Sequence, residues 1–122
     1  MPKIELRRQR ISDAKRFYEI LINPNFVYWA AKPESTEDER KFLKGNALRS
    51  KRNLQHNFAI LFDGQTVGGC GIKVDQHRTY IGEIGYFVDE KFWGRGIATE
   101  AVRQLEKNRL RNAWTYTDRN SD

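Results

Sequence analysis

The sequence predicts an α+β fold, and three observations along the chain support this class. Alternating or compact apolar runs indicate strands, apolar residues at helical spacing indicate helices, and the two kinds of segment follow one another without an internal repeat. The length of 122 residues, with 39% hydrophobic and 31% charged residues, suits one globular domain that occupies residues 1–122.

The chain is predicted to begin with a strand and a helix. Residues 4–8 alternate apolar and polar side chains, as a strand at the surface of a core does. The Ser-Asp pair at residues 12–13 offers a helix cap, and apolar residues then recur at helical spacing. Asn-Pro at residues 23–24 ends this helix, because the residue before a proline disfavours the helical conformation. Residues 26–30 are apolar but ambiguous.

A capping box predicts a second helix. Residues 36–39 place a threonine and a glutamate where each can satisfy the backbone N–H of the other, and the acidic residues suit the positive end of a helix. The cations among residues 49–52 suit its negative end. We therefore predict one helix across this segment, with Gly45 inside it.

The pattern then changes to that of strands. Two apolar runs flank Asp63-Gly64, which is a strong signal for a β-hairpin. A third strand is predicted to lead through a short loop into a helix with one apolar face. The predicted segments are strands at residues 57–62, 66–74 and 80–88, a helix from residue 97 to residue 105, and strand propensity at residues 113–117.

The junction before this helix has the composition of an anion site. Gly94 and Gly96 let backbone N–H groups approach a ligand without obstruction by a Cβ atom, and the first N–H groups of a helix have no internal acceptors. A phosphate or pyrophosphate suits such a site, with added contacts from Arg95 and the Thr99 hydroxyl. Taken alone, the two glycines more often only begin a helix. No P-loop motif occurs, and the dinucleotide fingerprint would need glycine in place of Thr99.

Residues 83–102 resemble the central motif of the GCN5-related N-acetyltransferases, most closely the branch that acetylates the N-terminal alanine of ribosomal proteins. The family pattern is Q/R-x-x-G-x-G/A, and Lys91 occupies its first place. The resemblance implies a mixed, mostly antiparallel sheet with helices on both faces. It also implies that the C-terminal helix and strands of the family are lacking here. A truncation, a degenerate gene product or half of an intertwined assembly would each account for that.

The resemblance also implies a cosubstrate, acetyl-coenzyme A, and no metal. Glu83 is the candidate general base for attack of an amine on the thioester, although a solvated or orienting role for it stays open. An alkyl ammonium has a pKa near 10.4 and must lose a proton before it attacks. The implied pyrophosphate contacts come from the backbone of Gly94, Arg95, Gly96, Ile97, Ala98 and Thr99. The implied pantetheine contacts come from the main chain of a bulged strand at Tyr86, Phe87 and Val88.

Several functions remain open at this point. The leading one is acetyl transfer to a primary amine, which would be a protein N-terminus, a polyamine or another small amine. The alternative is a coenzyme A-binding regulatory or degenerate remnant without turnover. A nucleic-acid-binding module is disfavoured despite the net charge of +6, because the basic residues are dispersed. An uncovered sheet edge would permit a homodimer.

Other features favour the cytoplasm and exclude some classes of site. No apolar run approaches the roughly 20 residues that span a membrane, and the N-terminus lacks the apolar core of a signal peptide. The single cysteine, Cys70, excludes an internal disulfide and is expected to be a buried structural thiol. His56 and His77 are expected at the surface. The family places an acceptor pocket where Phe26, Tyr28 and Trp29 lie, although ordinary core packing is as good an explanation.

Overall fold

A computed structural model describes residues 3–25, 32–78 and 81–110 of the chain, with side chains as far as residue 108. Four strands form one antiparallel sheet in the order β1-β2-β3-β4, and helices pack on both of its faces. The strands are β1 Ile4–Arg8, β2 Gln55–Phe62, β3 Gln65–Val74 and β4 Gly82–Val88. The helices are α1 Ala14–Leu21, α2 Thr36–Lys44, α3 Asn46–Lys51 and α4 Ile97–Leu110, with 3₁₀ turns at Ile11–Asp13 and Glu90–Phe92.

The hairpin between β2 and β3 is confirmed. Asp63 and Gly64 both have positive φ angles, 50° and 83°, which is the conformation of a tight turn that matches the twist of paired strands. The register runs from Phe62 opposite Gln65 to Gln55 opposite Lys73, with one shift between residues 60 and 61. The Asp-Gly signal therefore fixes both the turn and the pairing that follows from it.

The single helix predicted over the second helical segment is wrong in two details. The helix starts one residue earlier than predicted, because Ser35 rather than Thr36 is the N-cap, and the Ser35 hydroxyl accepts the Asp38 N–H at 3.1 Å. It also ends before Gly45, whose N–H bonds to the Phe42 carbonyl at 3.1 Å, and a separate helix, α3, then begins at Asn46. A tertiary contact accounts for the break, since the Asn46 amide donates to the Gln9 side chain at 2.8 Å.

Two apolar cores lie on opposite faces of the sheet, which confirms the predicted α+β layers. The larger core packs α4 against β2, β3 and β4, with Ile97, Ala101 and Leu105 from the helix. The smaller core packs α1 and α2 on the other face, where Phe17 meets Phe87 edge-on at 5.2 Å between ring centroids. The four described strands pair only antiparallel, and the predicted strand at residues 113–117 lies outside the described residues.

Glycines in β3 let neighbouring groups approach the sheet closely. A Cβ atom on Gly68 would lie 2.1 Å from the Phe87 carbonyl oxygen, and one on Gly71 would lie 2.1 Å from the Asn57 side chain. A Cβ on Gly69 would meet the Phe87 ring at 2.8 Å. These strand glycines, which weaken a strand intrinsically, are explained by packing.

No helix in the described ranges combines the length and the apolar character that crossing a bilayer requires.

Candidate functional site

A cavity of about 460 Å³ opens on the face of the sheet that carries α1 and α2. Its volume lies in the range of small-molecule sites. The sheet supplies a floor of alternate residues on β2, β3 and β4, and the end of α1 together with α2 supplies a wall. The floor includes Gln55, Asn57, Lys73, Glu83, Gly85 and Phe87, and the wall includes Leu21, Asp38, Glu39 and Phe42.

A chain of side-chain amides underlies the floor of this cavity. Asn46 donates to Gln9, Asn57 donates to Asn46 at 2.9 Å, and Gln55 donates to Asn57 at 3.2 Å. Gln9 in turn donates to the Phe58 carbonyl at 3.1 Å. This network was not predicted from the sequence, because its members come from three separate segments. One feature of the sequence relates to this network: Gly71 lacks a side chain and so leaves room for the Asn57 side chain.

Glu83 lines the cavity, at the N-terminal end of β4. Its side chain is exposed, and its Cα partner across the ladder is Lys73, which lines the same cavity. Opposite charges directly across an antiparallel pair attract one another weakly. The carboxylate is therefore reachable by a molecule that enters the cavity.

The main-chain groups of β4 alternate between the ladder with β3 and the opposite side, where β4 is the last of the four described strands. The Asp89 N–H bonds to the Val67 carbonyl at 2.8 Å, and the register continues without a shift to Val74 opposite Gly82. In an antiparallel ladder alternate residues bond to the partner strand, so Phe87 faces β3 while Tyr86 and Val88 face outward. The bulge that the resemblance implied at these residues is thus absent from the pairing of β4 with β3.

The turn between β4 and α4 has the open geometry that the sequence predicts. Gly94 and Gly96 have φ angles of 79° and 74°, and apart from their chain neighbours no heavy atom of the described residues lies within 4 Å of where their Cβ atoms would be. Ile97 is buried and anchors the first turn of α4, whereas Thr99 is exposed. Because the first helical N–H groups have no internal acceptors, Ile97, Ala98 and Thr99 present donors at this end.

The Arg95 guanidinium packs against two aromatic rings beside this turn. Its guanidinium lies 5.2 Å from the Phe92 ring centroid and 5.9 Å from that of Phe62. These distances suit cation–π contacts, which hold the charge near the helix N-terminus. The turn therefore combines backbone donors, the positive end of a helix and a positioned cation, which together suit an anionic group.

The loop that joins β4 to the turn is held at three points. Arg16 donates to the Asp89 carboxylate at 2.7 Å and to the Thr66 carbonyl at 2.8 Å. Asn23 donates to Glu90 at 3.3 Å, and the Trp93 indole donates to the Val88 carbonyl at 2.7 Å. The anchors made by Arg16 and Asn23 were not predicted, since both join residues far apart in the sequence.

The predicted residues thus fall into two places. Glu83, Tyr86 and Phe87 line the cavity, whereas the residues from 94 to 99 form the turn beyond the other end of β4. Phe26, Tyr28 and Trp29 lie outside the described residues. Within the described ranges, no cluster of three or more histidine, cysteine or acidic side chains could hold a metal ion.

The prediction of a surface position for His56 is wrong. Its ring is 2% exposed, and burial together with the nearby Arg8 charge lowers the pKa of His56 to about 4. Nδ1 lies 3.1 Å from the Ser50 hydroxyl, which accepts a hydrogen bond from Arg8, and Nε2 lies 2.7 Å from the Asn53 side-chain oxygen. His77 is exposed, as predicted.

Cys70 is buried, as predicted, and burial raises the pKa of its thiol to about 12. Such a thiol stays protonated at neutral pH and is a poor nucleophile.

Comparison with known proteins agrees with this geometry. Residues 3–117 match the family model of the acetyltransferase (GNAT) domain. A ribosomal-protein-serine acetyltransferase of Escherichia coli (strain K12) is 30% identical over 77 residues, which are 63% of this chain and 43% of that protein. The Bacillus subtilis (strain 168) protein YdaF is 28% identical over 108 residues, which are 84% of this chain and 59% of that protein. The chain thus spans roughly half the length of these two relatives.

Solved structures share the fold at lower identity. The RimL ribosomal L7/L12 alpha-N-protein acetyltransferase in complex with coenzyme A superposes with a TM-score of 0.77 and 22% identity, over 92% of this chain and 66% of that one. The microcin C7 self-immunity acetyltransferase MccE in complex with acetyl-CoA and AMP gives 0.76 and 18%, over 93% and 66%. At these identities the likeness shows the fold.

Proposed function

This chain belongs to the acetyltransferase (GNAT) family, and from that premise we propose that it transfers the acetyl group of acetyl-coenzyme A to a primary amine. The observation that carries the proposal is the open turn from Gly94 to Gly96 at the start of α4. Backbone donors, a helix N-terminus and Arg95 converge there, and the pyrophosphate of coenzyme A matches them in charge and size.

The cosubstrate would extend from this turn along the outer edge of β4. The main-chain groups of Tyr86 and Val88 face that edge and suit the amides of the pantetheine arm. The Val88 carbonyl is already bonded to Trp93, so its N–H is the group left for the ligand. Phe87 contributes its ring, which packs on Phe17 and lines the cavity. An outward N–H here also suits the oxyanion that forms on the thioester carbonyl.

The acceptor amine would enter the cavity that holds Glu83. An ammonium must first give up a proton, and the Glu83 carboxylate is placed to accept it directly or through water. The neutral amine then forms a bond to the acetyl carbon, and the carbon–sulfur bond breaks with release of the coenzyme A thiolate. The nitrogen loses its remaining excess proton as the amide forms, and the thiolate takes up a proton in exchange, so the products are an amide and free coenzyme A.

The finer parts of the proposal concern the acceptor and the cell compartment. The relatives named for ribosomal proteins favour a protein N-terminus, and the open cavity also admits a small amine. Residues 1–122 would act as a single domain in the cytoplasm, where ribosomal proteins are found. The rival function is binding of coenzyme A without turnover, which the same turn would support.

Release of coenzyme A from acetyl-coenzyme A, measured with N-terminal peptides and small amines as acceptors, tests the proposal. We expect turnover with at least one amine, and we expect Glu83→Gln to lower kcat about 100-fold or more, because glutamine cannot take the proton. Glu5→Gln is the control, since Glu5 is a strand carboxylate on β1 that does not line the cavity. Tight coenzyme A binding with no turnover on any acceptor would favour the rival function.

A further inference from the structure

Three consecutive acidic residues lie in the first turn of α2, and they differ in their partners. The Glu37 carboxylate pairs with Arg40, and Asp38 accepts the Glu34 N–H at 3.2 Å. Among the described residues, none donates a hydrogen bond or forms an ion pair to the Glu39 carboxylate. Glu39 is partly buried and lines the cavity, on the helical wall that faces the sheet with Glu83.

The position of the Glu39 carboxylate lowers the free energy of unfolding. Burial raises the pKa of Glu39, which means that its surroundings oppose the charged form. Buried carboxylates are normally paired, because a charge without a partner is expensive to remove from water. A residue that costs stability in a cavity is typical of a binding position, where a ligand supplies the missing partner.

The described lining of the cavity is acidic although the chain is basic. Among the described residues that line it, Asp38, Glu39 and Glu83 are acidic and Lys73 is the one cation, whereas the chain has a net charge of +6. The negative charges lie on both the wall and the floor, so a cation can meet them from two sides.

We propose that Glu39 is a specificity-determining residue that binds a second positive charge on the acceptor while the reacting amine lies at Glu83. This inference rests on the proposed acetyl transfer and names the class of its acceptor, a molecule with two positive charges. The reacting nitrogen must become neutral, so Glu83 serves it only until its proton is lost. The second cation keeps its charge throughout the reaction, so its contact with Glu39 favours ground state and transition state equally and lowers KM rather than raising kcat.

Two sources of such an acceptor are distinguished by matched pairs of probes. One pair is 1,4-diaminobutane and n-butylamine, and the other is the peptide amides Ala-Lys and Ala-Gln. Equilibrium binding to the full chain, measured by calorimetry in the presence of coenzyme A, does not depend on turnover. We expect wild-type protein to bind the doubly charged member of at least one pair about 10-fold tighter, and Glu39→Gln to abolish that preference. The pair that shows the preference identifies the source.

A control variant and a stability measurement separate binding from a structural role. Glu37→Gln removes a carboxylate from the same helix turn that does not line the cavity, so the preference should persist. Glu39→Gln should leave the melting temperature at pH 7 unchanged or raised, since it removes a charge that burial opposes. If turnover is present, its effect should fall on KM for the doubly charged acceptor and leave kcat nearly unchanged.

Failure of this inference is distinct from failure of the proposed function. Equal affinity of wild type for both members of both pairs would overturn it, as would a preference that survives in Glu39→Gln. A fall in the melting temperature of Glu39→Gln would make Glu39 structural and overturn it as well. If no acceptor is acetylated, the transferase proposal fails, and the calorimetric preference still decides the role of Glu39.

Discussion

His56 shows how a single residue can be misjudged from its position in the sequence. It follows a polar turn and stands at the start of a strand, which suggests exposure. The structure instead buries its ring between Ser50 and Asn53, which lie six and three residues earlier and return to it because α3 packs against β2. Both ring nitrogens have neutral partners and Arg8 is near, so the neutral form is favoured.

The buried His56 makes stability fall in weak acid. Below pH 6.5 the unfolded chain binds a proton at this ring, whereas the folded protein binds it only near pH 4, so the free energy of unfolding drops as the pH falls through this window. The loss amounts to about 3 kcal/mol between pH 7 and pH 4. Urea denaturation at several pH values checks this, with His56→Gln expected to flatten the slope. The exposed His77→Gln is the control, and an unchanged slope in His56→Gln would contradict the assignment.

At the scale of elements, the sequence predicted best those features whose geometry is set by residues close together in the chain. The Asp-Gly turn fixes a hairpin, and glycines before an apolar helical face fix the start of α4. The break at Gly45 was not predictable, because it depends on the bond between Asn46 and Gln9, which is 37 residues away. The floor of the cavity escaped prediction for the same reason.

The start of α4 offers a test of the anion site with an internal control. Gly96→Val should reduce the rise in melting temperature that acetyl-coenzyme A causes, because the valine side chain would occupy the open space over the turn. The wild-type gain is about 2.7 kcal/mol at 100 times the dissociation constant. Gly64→Val is the matched control, since Gly64 has a similar φ of 83° and open space but lies in the distant hairpin. Equal ligand shifts in both variants would remove the assignment.

At the scale of the whole molecule, one ion pair joins the layers that carry the site. Arg16 on α1 bonds to the end of β4 through Asp89 and to the start of β3 through Thr66. Asp89 is buried and also accepts the Lys91 N–H at 3.1 Å, so it shapes the loop ahead of the turn at Gly94 and Gly96. No single segment of the sequence contains this connection, although both α1 and β4 were predicted correctly.

Arg16→Ala should therefore destabilise the protein more than loss of a surface charge does. It leaves the Asp89 carboxylate without its cation, at a cost of about 2 kcal/mol in the free energy of unfolding. Urea denaturation measures the change. Arg103→Ala removes an exposed pair with Glu100 and should have little effect. Similar midpoints for the two variants would mean that the Arg16 pair is no more than a surface contact.

The acidic cavity in a basic molecule has a consequence for how the substrates of the proposed reaction would arrive. Acetyl-coenzyme A is an anion and would be attracted by the net charge of +6, which would raise its rate of encounter. An amine is a cation and is repelled at long range, but the field of the cavity carboxylates dominates within the Debye length of about 8 Å at physiological ionic strength. Added salt should therefore lower the rate of encounter with acetyl-coenzyme A. For the amine, added salt should weaken both the long-range repulsion by the net charge and the short-range attraction by the cavity carboxylates.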